Sequence, residues 1–580
     1  MALFEFADDD ILGQVASVDT SNVIIDVKNI EHLKKLQVNR LVVLQSSRPG
    51  QHLIGLITQV TRKKNLSLKP EIQGDDVDDE NKELNLCKIA LIGTFIDRVG
   101  EKNNIFRRTL ESVPEIDANC FSLEGDFLTS FMRVISSAAA DGTSLTLGKY
   151  TLDERAIAYL NGNKFFQRHA FIGGSTGSGK SWTTAKIIEQ VAGLGAANAI
   201  VFDLHGEYSP LTSVGIKHFK VAGPADIENR RNLDDNVIYL PYWLLSYEAL
   251  VSLFVDRTDQ NAPNQAMIMA REVNEAKKTY LHNGGHADIL NNFTVDSPVP
   301  FSLTDLLDSL NRINIEMVPG ARAGTEKQGE FNSKLSRMIS RLENKISDRR
   351  LGFLFQGGGE TLEFSWLESL TSALLGSSSE NELQGVKIIN FSEVPSDILP
   401  LIVSLVARIA FSVQQWTPSE LRHPVALICD EAHLYIPQKS AASSADDISI
   451  DIFERIAKEG RKYGVSLVVI SQRPSEVNKT MLSQCSNFVS MRLTNSDDQN
   501  VIKKLLPDSL GGFSDILPTL DTGEALVVGD ASLLPSRIRI DTPINKPNSG
   551  TIDFWDEWQA NAPANRLPTA IDNWRKQNIS

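Results

Sequence analysis

Eight consecutive residues have the types and spacing to hold a nucleoside triphosphate. Gly174, Ser175, Thr176, Gly177, Ser178, Gly179, Lys180 and Ser181 fit G-x-x-x-x-G-K-[ST], the pattern of a loop whose backbone N–H groups cradle phosphates. The three glycines let the backbone curl so that those groups point at phosphate oxygens. The start of the following helix adds partial positive charge at the same point. Lys180 would reach the β- and γ-phosphates of ATP, and the Ser181 hydroxyl would ligate Mg2+. The flanks suit this chemistry: Ala170, Phe171 and Ile172 form an apolar approach, and Trp182, Ala185, Ile188 and Ala192 recur at helical spacing behind the loop.

Further along, the apolar run 425–429 ends in two carboxylates, Asp430 and Glu431. This is the second signature of nucleotide hydrolysis: Asp430 would hold Mg2+ through water, and Glu431 would polarise the water that attacks the γ-phosphate. Two more buried runs end in polar residues. The run 199–203 closes on Asp203, with Glu207 shortly after. Carboxylates at the C-terminal ends of strands in open α/β sheets face the ligand crevice. Asp203 and Glu207 therefore either shape the metal and water network or cap the next turn. The run 466–470 leads to Gln472, a polar side chain placed to sense the γ-phosphate.

These residues must be positioned by an α/β sheet, and the chain is long enough for more than that. At 580 residues it exceeds one compact core, so two or more domains are expected. The β-branched runs 23–27, 40–44, 53–60 and 89–96 suggest a small N-terminal barrel, with the acidic stretch 75–80 as a solvated loop. The expected parts are a barrel and linker over 1–150, the first part of the nucleotide-binding core over 151–224, a helical insertion over 225–385, the second part of the core over 386–544, and an extended arm over 545–580. Within the insertion, helices are expected over 242–254, 265–281 and 303–310. Another carries the stripe Phe331, Leu335, Met338, Ile339, Leu342 and Ile346, with Lys334, Arg337, Arg341 and Lys345 around it as a solvated face.

Composition narrows the function classes. The formal net charge is -15, which tells against a surface coated in basic residues for nucleic acid and leaves room for binding confined to a pore or a few loops. Cys87, Cys120, Cys429 and Cys485 are scattered, so neither a disulfide framework nor a zinc site is expected, and a reducing cytoplasm is. The acidic start of the chain argues against a signal or transit peptide. The apolar run 398–413 contains Arg408 and is expected to be too short for a membrane span.

Five stretches together resemble one family: 173–181, Phe202-Asp-Leu-His-Gly-Glu-Tyr208, Cys429-Asp-Glu-Ala-His433, Glu459-Gly-Arg-Lys-Tyr-Gly464 and Ser471-Gln-Arg-Pro474. The combination is similar to the HerA branch of the FtsK–HerA ATPases. The resemblance implies an α/β, RecA-like P-loop ATPase core with a small N-terminal β-barrel and a helical insertion. It also implies a homohexameric ring that hydrolyses ATP with Mg2+ and moves double-stranded DNA through its pore. It assigns catalytic arginines acting across the subunit interface to Arg461 and Arg168. For Arg461 the residues alone also allow a cation at a helix C-terminus. The family implies a partner as well, a nuclease or a Sir2-like effector, in DNA end processing or anti-phage defence. A second expectation is a nucleotide-switched hexameric scaffold that activates such a partner with little translocation.

Overall fold

The computed structural model describes residues 3–4, 6–20, 22–64, 83–100, 102–139, 144–151, 153–322, 324–376, 385–439, 444–505, 508–532, 534–550, 554–559 and 567–576. The expected acidic loop 75–80 lies outside them. Two compact units are present: one comprises 1–187, 470–475 and 482–544, and the other 188–469, 476–481 and 545–580.

The first unit opens with the barrel. The strands Ile11–Asp19, Asn22–Asp26, Glu83–Val99, Gln51–Lys64, Leu41–Gln45 and Asn119–Ser122 pair in that order, and the last pairs back on the first, so the sheet closes. Closure removes the free strand edges that would otherwise template aggregation. Alternating residues, among them Val15, Val23, Ile25, Val42, Leu44, Ile57 and Ile89, fill the interior. The two longest strands approach so closely at Gly55 that a Cβ there would lie 2.3 Å from Ile89 Cγ2. Outside the barrel the helix Gly125–Ala139 buries Phe131, whose ring packs 5.8–5.9 Å from those of Phe4, Phe95 and Phe106. This helix was not expected from sequence.

The rest of the first unit is sheet, in the order Ala170–Gly173, Asn487–Ser490, Glu524–Gly529, Ser536–Ile540, Ser144–Tyr150, Asp153–Asn161. Only the first pair is parallel; the others are antiparallel.

The second unit carries a parallel sheet in the order Val237–Ile238, Ile216–Val221, Val386–Asn390, Ala199–Asp203, Val425–Cys429, Val465–Ser471. Its central strands are mostly apolar and almost wholly buried, as strands covered on both faces are. The helix Leu399–Trp416 is 18 residues long, longer than the apolar run suggested, and passes by length and composition as a membrane span; 67% of it is buried in the protein, as in a core helix.

The insertion is helical with three corrections of register. The segment 242–254 divides into a single turn, Tyr242–Leu244, and a helix, Tyr247–Phe254, because Ser246 caps the latter by accepting the Ala249 N–H. The helix with the apolar stripe is Ser336–Ser347. Phe331 and Leu335 are buried ahead of it, because Ser333 takes φ +63°, which no helix accommodates. On its polar side Arg337 pairs with Asp256 at 2.9 Å and Lys345 with Asp397 at 3.5 Å. The third concerns 265–281, which extends to Ala262–Asn283 with Pro263 in its first turn, where the missing N–H costs nothing.

The C-terminal segment is not an extended arm. It forms the helices Phe554–Gln559 and Leu567–Lys576. Pro547 falls outside them and Pro568 in a first turn, so neither breaks a helical hydrogen bond; Pro563 lies outside the described residues. Trp555, Trp558 and Trp574 are exposed.

Truncating Phe131 to Ala removes the ring that joins the helix to the barrel. It should destabilise the first unit by about 3–5 kcal/mol, seen as an earlier transition in calorimetry of the full chain.

Candidate functional site

The phosphate loop is built by hydrogen bonds to its outer side. The strand Ala170–Gly173 lies parallel to Asn487–Ser490, with Gly173 beside Ser490. The pairing continues past both strands: Met491 N–H donates to the Gly173 carbonyl at 2.7 Å, and Ser175 N–H to the Arg492 carbonyl at 2.8 Å. The Ser175 hydroxyl donates to that same carbonyl at 2.9 Å. On the far side of the loop Gly523 N–H donates to the Ser178 carbonyl at 3.0 Å. Gly177 and Gly179, at φ +74° and +111°, make the reversal, in regions that only glycine occupies without strain. With the Gly173 and Ser178 carbonyls engaged outward, the N–H groups of Thr176, Gly177 and Gly179 make no hydrogen bond among the described residues. Successive free N–H groups in a concave turn form an anion nest.

The loop's other residues converge on it. Lys180 is nearly buried, and its Nζ donates to the Ser175 carbonyl at 3.3 Å. Ser181 is half-buried in the first turn of the helix Lys180–Ala192. Gln472 accepts a 2.7 Å hydrogen bond from the Thr176 hydroxyl through Oε1. The polar side chain expected to sense phosphate thus sits on the loop itself. Met491 packs beneath: its methyl carbon would lie 2.8 Å from a Cβ at Gly179.

The carboxylates of the second unit form their own cluster. The strand Val425–Cys429 is wholly buried between Ala199–Asp203 and Val465–Ser471, so its end is fixed from both sides. Asp430 follows, buried, its Oδ2 accepting from the Tyr208 hydroxyl at 2.8 Å and its Oδ1 from the Glu431 N–H at 2.9 Å. Burial first, and then the charge of Glu431, push the Asp430 carboxyl up to about 7. A carboxylate so short of counter-charge is suited to a cation. Glu431 adopts φ +44°, ψ +43°, a left-handed conformation uncommon outside glycine and enriched at active sites. His433 Nδ1 lies 3.3 Å from its carboxylate. Asp203 caps the following turn, its two oxygens accepting the N–H groups of Glu207 and Tyr208 at 3.0 Å each, while the charge of Glu207 adds to the rise of the Asp430 carboxyl. The hydrogen bond from Tyr208 to Asp430 joins residues that no sequence spacing connects.

Mg2+ takes oxygen ligands and keeps several waters. The Ser181 hydroxyl and the Asp430 carboxylate are donors of that kind. Among the described residues no group of three or more His, Cys, Asp or Glu could hold a metal ion.

The two arginines differ in their surroundings. Arg461 is exposed in the last turn of the helix Ser444–Tyr463, a position that also suits the helix dipole. Arg168 is ion-paired to Asp530 at 2.9 Å and ends the helix Gly162–Gln167.

The model of the family described as "Helicase HerA, central domain" matches residues 145–410. A DNA double-strand break repair helicase HerA of Sulfolobus acidocaldarius is 24% identical over 70% of this chain and 71% of its own. A probable helicase of Methanocaldococcus jannaschii is 24% identical over 91% of this chain and 95% of its own. Among solved structures, VirB4 of Thermoanaerobacter pseudethanolicus is 16% identical over 69% of this chain and 97% of its own, with a TM-score of 0.44.

Replacing Gly179 with Ala strains the loop where φ is +111°. The cost, about 1–3 kcal/mol, should appear as at least tenfold weaker nucleotide binding in a fluorescence titration, with the circular dichroism spectrum unchanged.

Proposed function

Because the chain is a HerA-type ATPase of the FtsK–HerA family, we propose that it is an ATP-driven motor on double-stranded DNA, working in DNA repair or end processing. The observation that carries this is the phosphate loop: three unengaged N–H groups, a nearly buried Lys180 and Gln472 in contact with Thr176. The names of the relatives supply the DNA. The motor acts as a homohexameric ring in the cytoplasm, with the duplex in its pore. A partner, a nuclease or a Sir2-like effector, supplies the chemistry on DNA or in anti-phage defence.

In this mechanism residues 174–181 bind the phosphates of ATP through backbone N–H groups, and Lys180 neutralises the β- and γ-oxygens. Ser181 and, through water, Asp430 would hold Mg2+, which would supply positive charge against the phosphate oxygens. Glu431 orients the attacking water and accepts its proton. Gln472 reports the γ-phosphate to the loop through Thr176. Arg461 acts on the nucleotide of the neighbouring subunit, where an arginine finger is worth roughly 10³–10⁵ in rate. Arg168 has the same task after leaving Asp530.

The net charge of -15 favours a second proposal, a hexameric scaffold whose nucleotide state switches the partner with little translocation. Steady-state hydrolysis with and without linear duplex DNA separates the two. The motor predicts strong stimulation that fades with rising salt, since phosphate contacts release counterions; hydrolysis indifferent to DNA selects the scaffold. Lys180→Ala should abolish hydrolysis, and Glu431→Ala should bind ATP without cleaving it. Retained wild-type turnover in the latter overturns its role. Subunits carrying Arg461→Ala mixed with Lys180→Ala subunits should regain turnover at some interfaces, and no recovery at any ratio would count against action across subunits.

A further inference from the structure

Lys180 marks the end of the loop that receives the β- and γ-phosphates, because its Nζ rests on the Ser175 carbonyl. Ser175 in turn is fastened to Arg492, whose carbonyl accepts both its N–H and its hydroxyl at 2.8 and 2.9 Å. The parallel register of Gly173 with Ser490 places Arg492 just past the C-terminal end of its strand, the side on which open α/β sheets bind ligands. The Arg492 backbone is therefore beside Ser175, on whose carbonyl Lys180 rests, in the same subunit.

Its side chain has no structural employment. Three arginines of this unit that are near in sequence or sheet are matched to carboxylates: Arg168 to Asp530, and Arg537 and Arg539 to Glu524. The Arg492 guanidinium makes no ion pair or hydrogen bond among the described residues, and its Nε is shut off from solvent without an acceptor. A guanidinium stays charged and presents five donors in a fork that matches phosphate oxygens. A shielded donor without a partner is costly until a ligand supplies the acceptor.

We propose that Arg492 binds the γ-phosphate of the nucleotide held by its own subunit and so distinguishes ATP from ADP. This rests on the assignment of 174–181 as an ATP site. Arg492 acts in cis, unlike the role across the interface assigned to Arg461 and Arg168.

The test uses the full chain with Mg2+ and a fluorescent ADP analogue, displaced by ADP or by ATPγS. For Arg492→Gln, ADP affinity should stay near wild type while ATPγS affinity falls roughly tenfold or more, the scale of a lost charge-assisted hydrogen bond. Arg492→Lys, which keeps the charge, should restore part of the preference. Wild-type affinity for both ligands in Arg492→Gln overturns the proposal. So does an equal loss of both with a lowered melting temperature, which a packing role would produce. Lys180→Ala separates the two assignments: if the wild-type chain binds both ligands and Lys180→Ala loses both, the ATP site stands and Arg492 alone is being judged. If the wild-type chain binds neither, both assignments fall.

Discussion

The backbone of a phosphate loop has to satisfy its carbonyl groups elsewhere so that its N–H groups remain available for an anion. In this chain that condition is met for Gly173 and Ser178, whose carbonyls accept the N–H groups of Met491 and Gly523. Met491 and Arg492 fasten the start of the loop, and Gly523 fastens its return. Each hydrogen bond is of ordinary strength, about 1 kcal/mol net. Their value lies in direction, because they hold the loop in shape before any ligand arrives, and preorganised donors cost nothing to reorient when charge appears. The antiparallel strands Asn487–Ser490 and Glu524–Gly529 carry both fastening segments. The buried Glu524, held by Arg537 and Arg539 at 2.6 and 3.0 Å, pins the turn that contains Gly523. The extension of the sheet in the first unit is thus part of the nucleotide site.

The second unit solves a different problem, holding carboxylates where their charge is needed. Asp430 is buried and rises to about 7, and Tyr208 keeps its orientation through a 2.8 Å hydrogen bond. Glu431 takes a strained backbone conformation next to it. Such features cost stability, and they are supported by the fully buried strand Val425–Cys429 and by Tyr435, whose hydroxyl donates to the Asp430 carbonyl at 2.9 Å. Strained residues persist where rigid surroundings hold them and cluster at active sites, and Glu431 stands at such a strand end.

Local features of this architecture were legible in the sequence. The glycines at 174, 177 and 179, the apolar strand before them and the Asp430–Glu431 pair are set by nearest-neighbour chemistry, and the structure places them as expected. The barrel was also legible, because alternation in a closed sheet writes itself into β-branched runs. Contacts between distant segments were not. Ser175 and Arg492 are 317 positions apart, and Tyr208 and Asp430 are 222 apart; no spacing rule connects them. The C-terminal prolines suggested an extended arm because their position relative to a helix start could not be fixed from composition. The helix Gly125–Ala139 was missed because its boundaries fall in a stretch of mixed character, and its burial depends on barrel side chains such as Phe95 and Phe106.

The central claim is that one chain holds one nucleotide, with Lys180 neutralising its phosphates and the Asp430 carboxylate serving the cation. Calorimetric titration of the purified chain with ATPγS, with Mg2+ and then without it, tests this most directly. The account predicts one nucleotide per chain with Mg2+ present and a marked weakening when Mg2+ is omitted or Asp430 is replaced by Ala. Binding that is indifferent to both Mg2+ and Asp430, or no binding at all, would contradict it.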